Sequence, residues 1–120
     1  MTEPVILLLN TNRSDQETLA KELEQEGYGT IGANSLDELD QLIKEGGKYA
    51  LSVIELSGFD NNIWERCDRM HEAKIPFIVV APQRSPATQR DSLKHGASGV
   101  LVKPLTVKEL VDHIHAALGD

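Results

Sequence analysis

Four apolar runs in this sequence end on residues that could do chemistry. "LSVIE" stops at Glu55, "GVLV" is followed by Lys103, "VILLL" runs into Asn10, Thr11 and Asn12, and "PFIVVA" closes on Ala81. A carboxylate at the end of a buried run is costly unless it is paired, and Lys103 is the ammonium that could pair with it. A Glu55–Lys103 ion pair is therefore the simplest stable arrangement. Asn10 and Thr11 supply neutral oxygens, whereas a hard divalent cation prefers anionic ones, so no bound metal is expected. The segment 10–18, "NTNRSDQET", is rich in hydroxyls but has no glycine to let a backbone approach a phosphate, which disfavours flavin phosphate binding. Walker motifs, nucleophile elbows and zinc-ligand spacings are absent from the sequence.

The elements that would position these residues repeat one unit. The continuous apolar run at 5–9 reads as a strand buried on both faces, and 49–55, 76–81 and 99–102 read as further strands. The segment 28–33, "YGTIGA", is a weaker strand whose two glycines suit an edge. Between the strands lie helix patterns. Ser14 and Glu17 have capping-box spacing ahead of Leu19 and Leu23, with Gly27 as the stop. Ser35 and Glu38 repeat that spacing before the stripe Leu36, Leu39, Leu42 and Ile43, which ends at Gly46–Gly47. A third helix carries Ile63, Cys67 and Met70 on one face. Ser85 with Pro86 opens a fourth, roughly 85–95, and Gly96 ends it. Thr106 and Glu109 open a fifth, with Val107, Leu110, Val111, Ile114 and Leu118 on one stripe.

Five alternating strand–helix units with short connections specify an α/β fold. It is a flavodoxin-like (βα)5 doubly wound parallel sheet of strand order 2-1-3-4-5, with its ligand crevice at the carboxyl ends of strands 1 and 3. Residues 1–120 read as a single domain. With about 40% hydrophobic and 26% charged residues, the composition is that of a globular protein. The net charge of −7 and the absence of a basic stripe with aromatics argue against direct nucleic-acid binding. The apolar runs are too short to span a bilayer, and the N-terminus has no signal-peptide pattern, so the cytoplasm is the expected location. One cysteine, Cys67, rules out an intrachain disulfide and reads as a small core residue.

The segment "GASGVLVKPLTVKEL" (96–110) resembles the last strand and helix of a response-regulator receiver domain, the phospho-acceptor module of two-component signalling. The resemblance covers the whole chain, with five units in register and Lys-Pro after strand 5. It implies an acidic metal-binding pair after strand 1, a phospho-acceptor aspartate ending strand 3, a hydroxyl ending strand 4, an aromatic on strand 5 and a lysine after it. Carried over position by position, only Lys103 is kept. The acidic pair falls on Asn10 and Thr11, the acceptor on Glu55, the hydroxyl on Ala81 and the aromatic on Val100. The P-x-x-x-G turn after the acceptor reads "SGFDNN" here. Glu55 is one methylene too long for an acceptor, and charge neutralisation would fall to Lys103 alone. The resemblance thus implies an atypical, non-enzymatic receiver that signals through protein contacts without phosphorylation or cofactor. Alternatives are phosphorylation at a non-standard residue such as Ser57 or Asp60, and a flavodoxin-like small-molecule binder.

Outside the crevice, the fourth helix is mostly polar, with Ala87 and Leu93 expected on its inner face. Arg84, Arg90 and Lys94 lie on or beside it, and Lys108 and Asp112 stand at i, i+4 on the fifth helix. With Val100, these form the candidate interface for a protein partner or a homodimer, on the surface where the resembled family docks its partners. Trp64 is the next candidate. His113 and His115 do not share a helix face, so they are not a metal pair, and His71 and His95 read as isolated surface residues.

Overall fold

The computed structural model describes residues 4–119. Five parallel strands form one sheet in the order β2-β1-β3-β4-β5: β1 (Val5–Leu9), β2 (Gly29–Ala33), β3 (Leu51–Glu55), β4 (Phe77–Ala81) and β5 (Gly99–Val102). The helices are α1 (Arg13–Gln25), α2 (Leu36–Lys44), α3 (Ile63–Glu72), α4 (Pro86–Lys94) and α5 (Val107–Ala117). The expected strand order and the edge position of β2 are both borne out.

Alternating strand residues feed two cores. Leu7, Leu9, Ile54, Phe77 and Val79 pack with Leu39, Ile63, Cys67 and Met70 beneath α2 and α3. Ile6, Leu8, Leu51, Val53, Ile78 and Val80 pack with Leu19, Leu23, Val111 and Ile114 beneath α1 and α5. This two-sided burial is why β1, β3 and β4 read as unbroken apolar runs rather than alternating ones. Ser52 is the exception. It is fully buried, and its hydroxyl has no partner among the described residues.

Three helix starts follow the sequence. Ser35 caps α2 through the Glu38 amide, Ser85 caps α4 through the Thr88 amide with Pro86 in the first turn, and Thr106 with Glu109 closes a full capping box on α5. The α1 start differs. Its cap is Asn12, whose side-chain oxygen accepts from the Asp15 amide, so the helix begins before Ser14. Asn12 is extended, with φ −93° and ψ 104°, and its short amide reaches the orphan N–H that Ser14, already helical, cannot.

The inner face of α4 is also corrected. Ser92 is its one buried residue, whereas Ala87 and Leu93 are exposed. Ser92 satisfies its hydroxyl on the Thr88 carbonyl one turn back. A small residue there brings the helix close to the sheet and turns the aliphatic Leu93 outward.

Candidate functional site

The carboxyl ends of the strands bring Asn10, Glu55, Ala81 and Lys103 to one end of the sheet. Glu55 closes β3, and its side chain is only 9% exposed. Its Oε2 lies 2.9 Å from the Nζ of Lys103, whose side chain is 39% exposed. Its Oε1 accepts the backbone N–H of Ser57 at 3.2 Å. The expected ion pair is thus present, and the second carboxylate oxygen is occupied as well. Lys103 is held in place by its own N–H, which donates to the Ala81 carbonyl at 3.0 Å, just before a cis bond to Pro104.

The same Ser57 peptide is fixed on its other side. The Thr11 hydroxyl donates to the Ser57 carbonyl at 3.0 Å. Gly58 follows with φ +88°, and a Cβ there would come within 2.7 Å of the Thr11 hydroxyl. Only glycine combines that backbone conformation with so close an approach. The β1–α1, β3–α3 and β5–α5 loops therefore meet through Thr11, Ser57, Glu55 and Lys103. Asn10 stands beside them, its Oδ1 taking the Asn12 amide. Among the described residues, no group of three or more His, Cys, Asp and Glu side chains is arranged to hold a metal ion.

Gln16 and Asn34 belong to this end of the sheet and were missed by the sequence reading. Gln16 is buried on α1, and its Nε2 donates to the Leu8 and Ala33 carbonyls at 2.8 and 3.0 Å. Its Oε1 accepts from Asn34, which also donates to the Asn10 carbonyl. This bracket ties β1 to β2. The one available signal was a polar residue on the Leu19–Leu23 stripe of α1.

Ala81 is buried at the end of β4, and Val100 is half-buried on β5. Both line a groove of about 470 Å3 together with Arg84, Thr88, Gln89 and Val102. Leu93 and Val102, at 51% and 37% exposed, are the large hydrophobic residues left most open among those described. Arg90 and Lys94 are exposed on α4, and Lys108 pairs loosely with Asp112 at 3.6 Å on α5.

His95 is not the isolated surface residue that spacing alone suggests, and His115 has partners that spacing does not show. The His95 ring stacks on Trp64 with centroids 5.5 Å apart, and its Nδ1 meets Asp68 at 2.6 Å, joining α3 to α4. Trp64 and Asp68 are one turn apart on α3, so a single ring can touch both. His115 lies between the Tyr28 hydroxyl, 2.7 Å away, and Glu26, 3.0 Å away. His71 is exposed, as expected. Burial pushes the Cys67 thiol up to about 12, which fits its core position. Desolvation and the charge of Glu45 raise the Tyr49 phenol, and the hydrogen bond that Arg66 donates to Asp40 raises its guanidinium.

The whole backbone superposes on known proteins. A two-component response regulator from Clostridium difficile matches with TM-score 0.88 and 22% identity over 98% of this chain and 97% of that one. A CheY-like receiver domain protein from Methanospirillum hungatei matches with TM-score 0.87 and 22% identity, covering 98% and 95%. HP1043, an orphan response regulator of H. pylori, matches with TM-score 0.84 and 23% identity over 96% of each chain. The fold is that of a response-regulator receiver domain. In sequence, the chain is 32% identical over 118 residues to the transcriptional regulatory protein HprR of Escherichia coli, covering 94% of this chain. It spans about half of that relative, 51% of its length. No protein-family model matches the chain. The receiver fold agrees with the resemblance carried by residues 96–110. No helix among the described residues is long and apolar enough to cross a membrane.

Proposed function

We propose that this receiver-type domain is an atypical signalling module of the cytoplasm, held in one conformation without phosphorylation. Glu55 carries permanently the negative charge that a phospho-acceptor would gain. The observation that carries this reading is the double engagement of the Glu55 carboxylate with Lys103 and with the Ser57 amide. One side chain thereby ties two loops, and Thr11 brings in the third. Neutral Asn10 and Thr11 leave little anionic attraction for magnesium. Ala81 has no hydroxyl to hold a phosphoryl oxygen, and Val100 has no aromatic ring to swing. The domain is a fixed binding module rather than a switch or an enzyme.

Its output runs through the α4–β5–α5 face. Arg84, Arg90 and Lys94 stand in an otherwise acidic chain, beside the exposed Leu93 and Val102. Val100, Lys108 and Asp112 extend that face. An acidic protein surface, or a second copy presenting one, fits it, and salt would weaken the contact. A direct nucleic-acid partner does not fit the net charge of −7.

Incubation with acetyl phosphate and magnesium, read by intact mass, tests the central claim. The expected result is an unchanged mass, with beryllofluoride leaving the amide spectrum of Asn10, Glu55 and Lys103 unmoved. A stoichiometric phosphoryl adduct on any residue, Ser57 and Asp60 included, would overturn it.

A further inference from the structure

Next to the tied loops, away from the α4 face, lies a cleft of about 400 Å3 with the Glu55–Lys103 pair in its lining. It runs between α1 and α5, with Leu19, Val80, Leu105, Val107 and Leu110 as an aliphatic wall. Its polar lining is Asn10, Asp15 and Thr18 on the α1 side, Thr106, whose hydroxyl is taken up by the Glu109 amide, on the α5 side, and Glu55 and Lys103 between them. Beneath Glu55 a recess of about 30 Å3 continues inward to Leu8 and Val53, sharing Asn10, Leu19, Val80 and Leu110 with the cleft. An apolar wall with a few convergent polar groups, in a volume of several hundred Å3, is the ordinary form of a small-ligand site.

The polar groups select the ligand. Glu55 and Lys103 cancel each other's charge. That leaves Asp15 as the uncompensated charge of the lining, since its carboxylate has no partner among the described residues. Thr18 donates its hydroxyl proton to the Ser14 carbonyl, so it meets the cleft only as an acceptor. Asn10 Oδ1 takes one N–H, from Asn12, and keeps a second lone pair. Asp15, Thr18 and Asn10 each offer an acceptor and an ammonium group carries three donors, and the net charge of −7 adds to the preference for a cation. We propose that this cleft binds a small aliphatic primary amine, its ammonium on the Asp15–Thr18–Asn10 side and its hydrocarbon body along Leu19, Val80 and Leu110. The inner recess takes the end of the tail, so chain length is read as well as charge.

The test is an amide NMR titration of the full 120-residue chain with propylamine, butylamine and pentylamine at neutral pH, with pentanoate as the anionic control. Saturable shifts should cluster at Asn10, Asp15, Leu19 and Leu110, and affinity should rise about fourfold per added methylene until the recess fills. Asp15→Asn should weaken pentylamine binding roughly tenfold through loss of a charged hydrogen-bond partner. Glu17→Gln, an exposed α1 acid outside the lining, should leave it unchanged. Pentanoate binding as tightly as pentylamine, shifts that ignore chain length, equal losses in both variants, or no saturable shift would each overturn the proposal. None of these outcomes bears on phosphorylation, so the two readings fail separately.

Discussion

The Glu55 end of the sheet and the α4–β5 edge show two ways of using one fold. At Glu55, both carboxylate oxygens, the Ser57 amide and the Ser57 carbonyl all have partners. At the α4–β5 edge, one serine is buried from the whole of α4, and Leu93 and Val102 face solvent. The first region spends its polar groups on holding loops together. The second spends little on the core and leaves its surface chemistry free. Rigidity at one end and availability at the other are what the proposed fixed binding module would require.

The largest expected effect at neutral pH breaks the tied end. Lys103→Met leaves Glu55 buried and facing no counter-charge. Loss of one partner of a fully buried pair costs about 3–5 kcal/mol. Because Lys103 is 39% exposed, a loss of roughly 2 kcal/mol is expected in urea unfolding. A loss within experimental error would show that the pair does not hold the loops, and the contrast between the two regions would disappear.

An effect that is absent at neutral pH and grows only above pH 9 asks whether the thinness of α4 reaches the core beneath its neighbour α3. Cys67 is fully buried there, and its thiol is raised from 9.0 to about 12. The raised folded value means that the associated stability is complete below pH 9 and is lost as pH rises towards 12. The slope is about 1.4 kcal/mol per pH unit. Cys67→Ala should flatten that alkaline decline, and native Cys67 should resist alkylation at neutral pH. Rapid alkylation of the folded chain would show that this core is as loose as the edge above it.

The smallest stability effect belongs to the edge itself. Leu93→Ser and Val102→Thr should each change unfolding free energy by no more than about 0.5 kcal/mol, as surface positions do. Charge reversal at Arg90 and Lys94 should likewise leave the fold intact while abolishing capture of an acidic partner. If the Leu93 change costs as much as Lys103→Met, α4 is part of the core and the comparison fails.

The sequence carried the fold to unequal depth. Unbroken apolar runs placed β1, β3 and β4, and the glycines of 28–33 placed β2 on the edge, because burial on both faces and glycine's weakness in strands are local signals; β5 was legible as an apolar run too, although it is the half-buried opposite edge. Ser35, Ser85 and Thr106 were legible as caps for the same reason. Ser14 misled because Asn12 and Ser14 are both good caps, and only the path of the chain leaving β1 chooses between them. On α4, apolarity suggested that Ala87 and Leu93 point inward. The close approach of that helix to the sheet instead admits Ser92, a distance that no spacing records.

At the site, residue type and position at a strand end were enough to join Glu55 to Lys103, since a buried carboxylate needs a cation and one stands at the end of another strand. The tertiary structure alone decided what the second oxygen of Glu55 does, that Thr11 and Gly58 meet 47 residues apart in sequence, and that Gln16 brackets β1 to β2. It also set Trp64, Asp68 and His95 in one contact. Hydrophobic period and capping act within a few residues and are written in the chain. Hydrogen bonds between loops depend on where the folded sheet brings the strand ends together, and that is fixed only once every layer has packed.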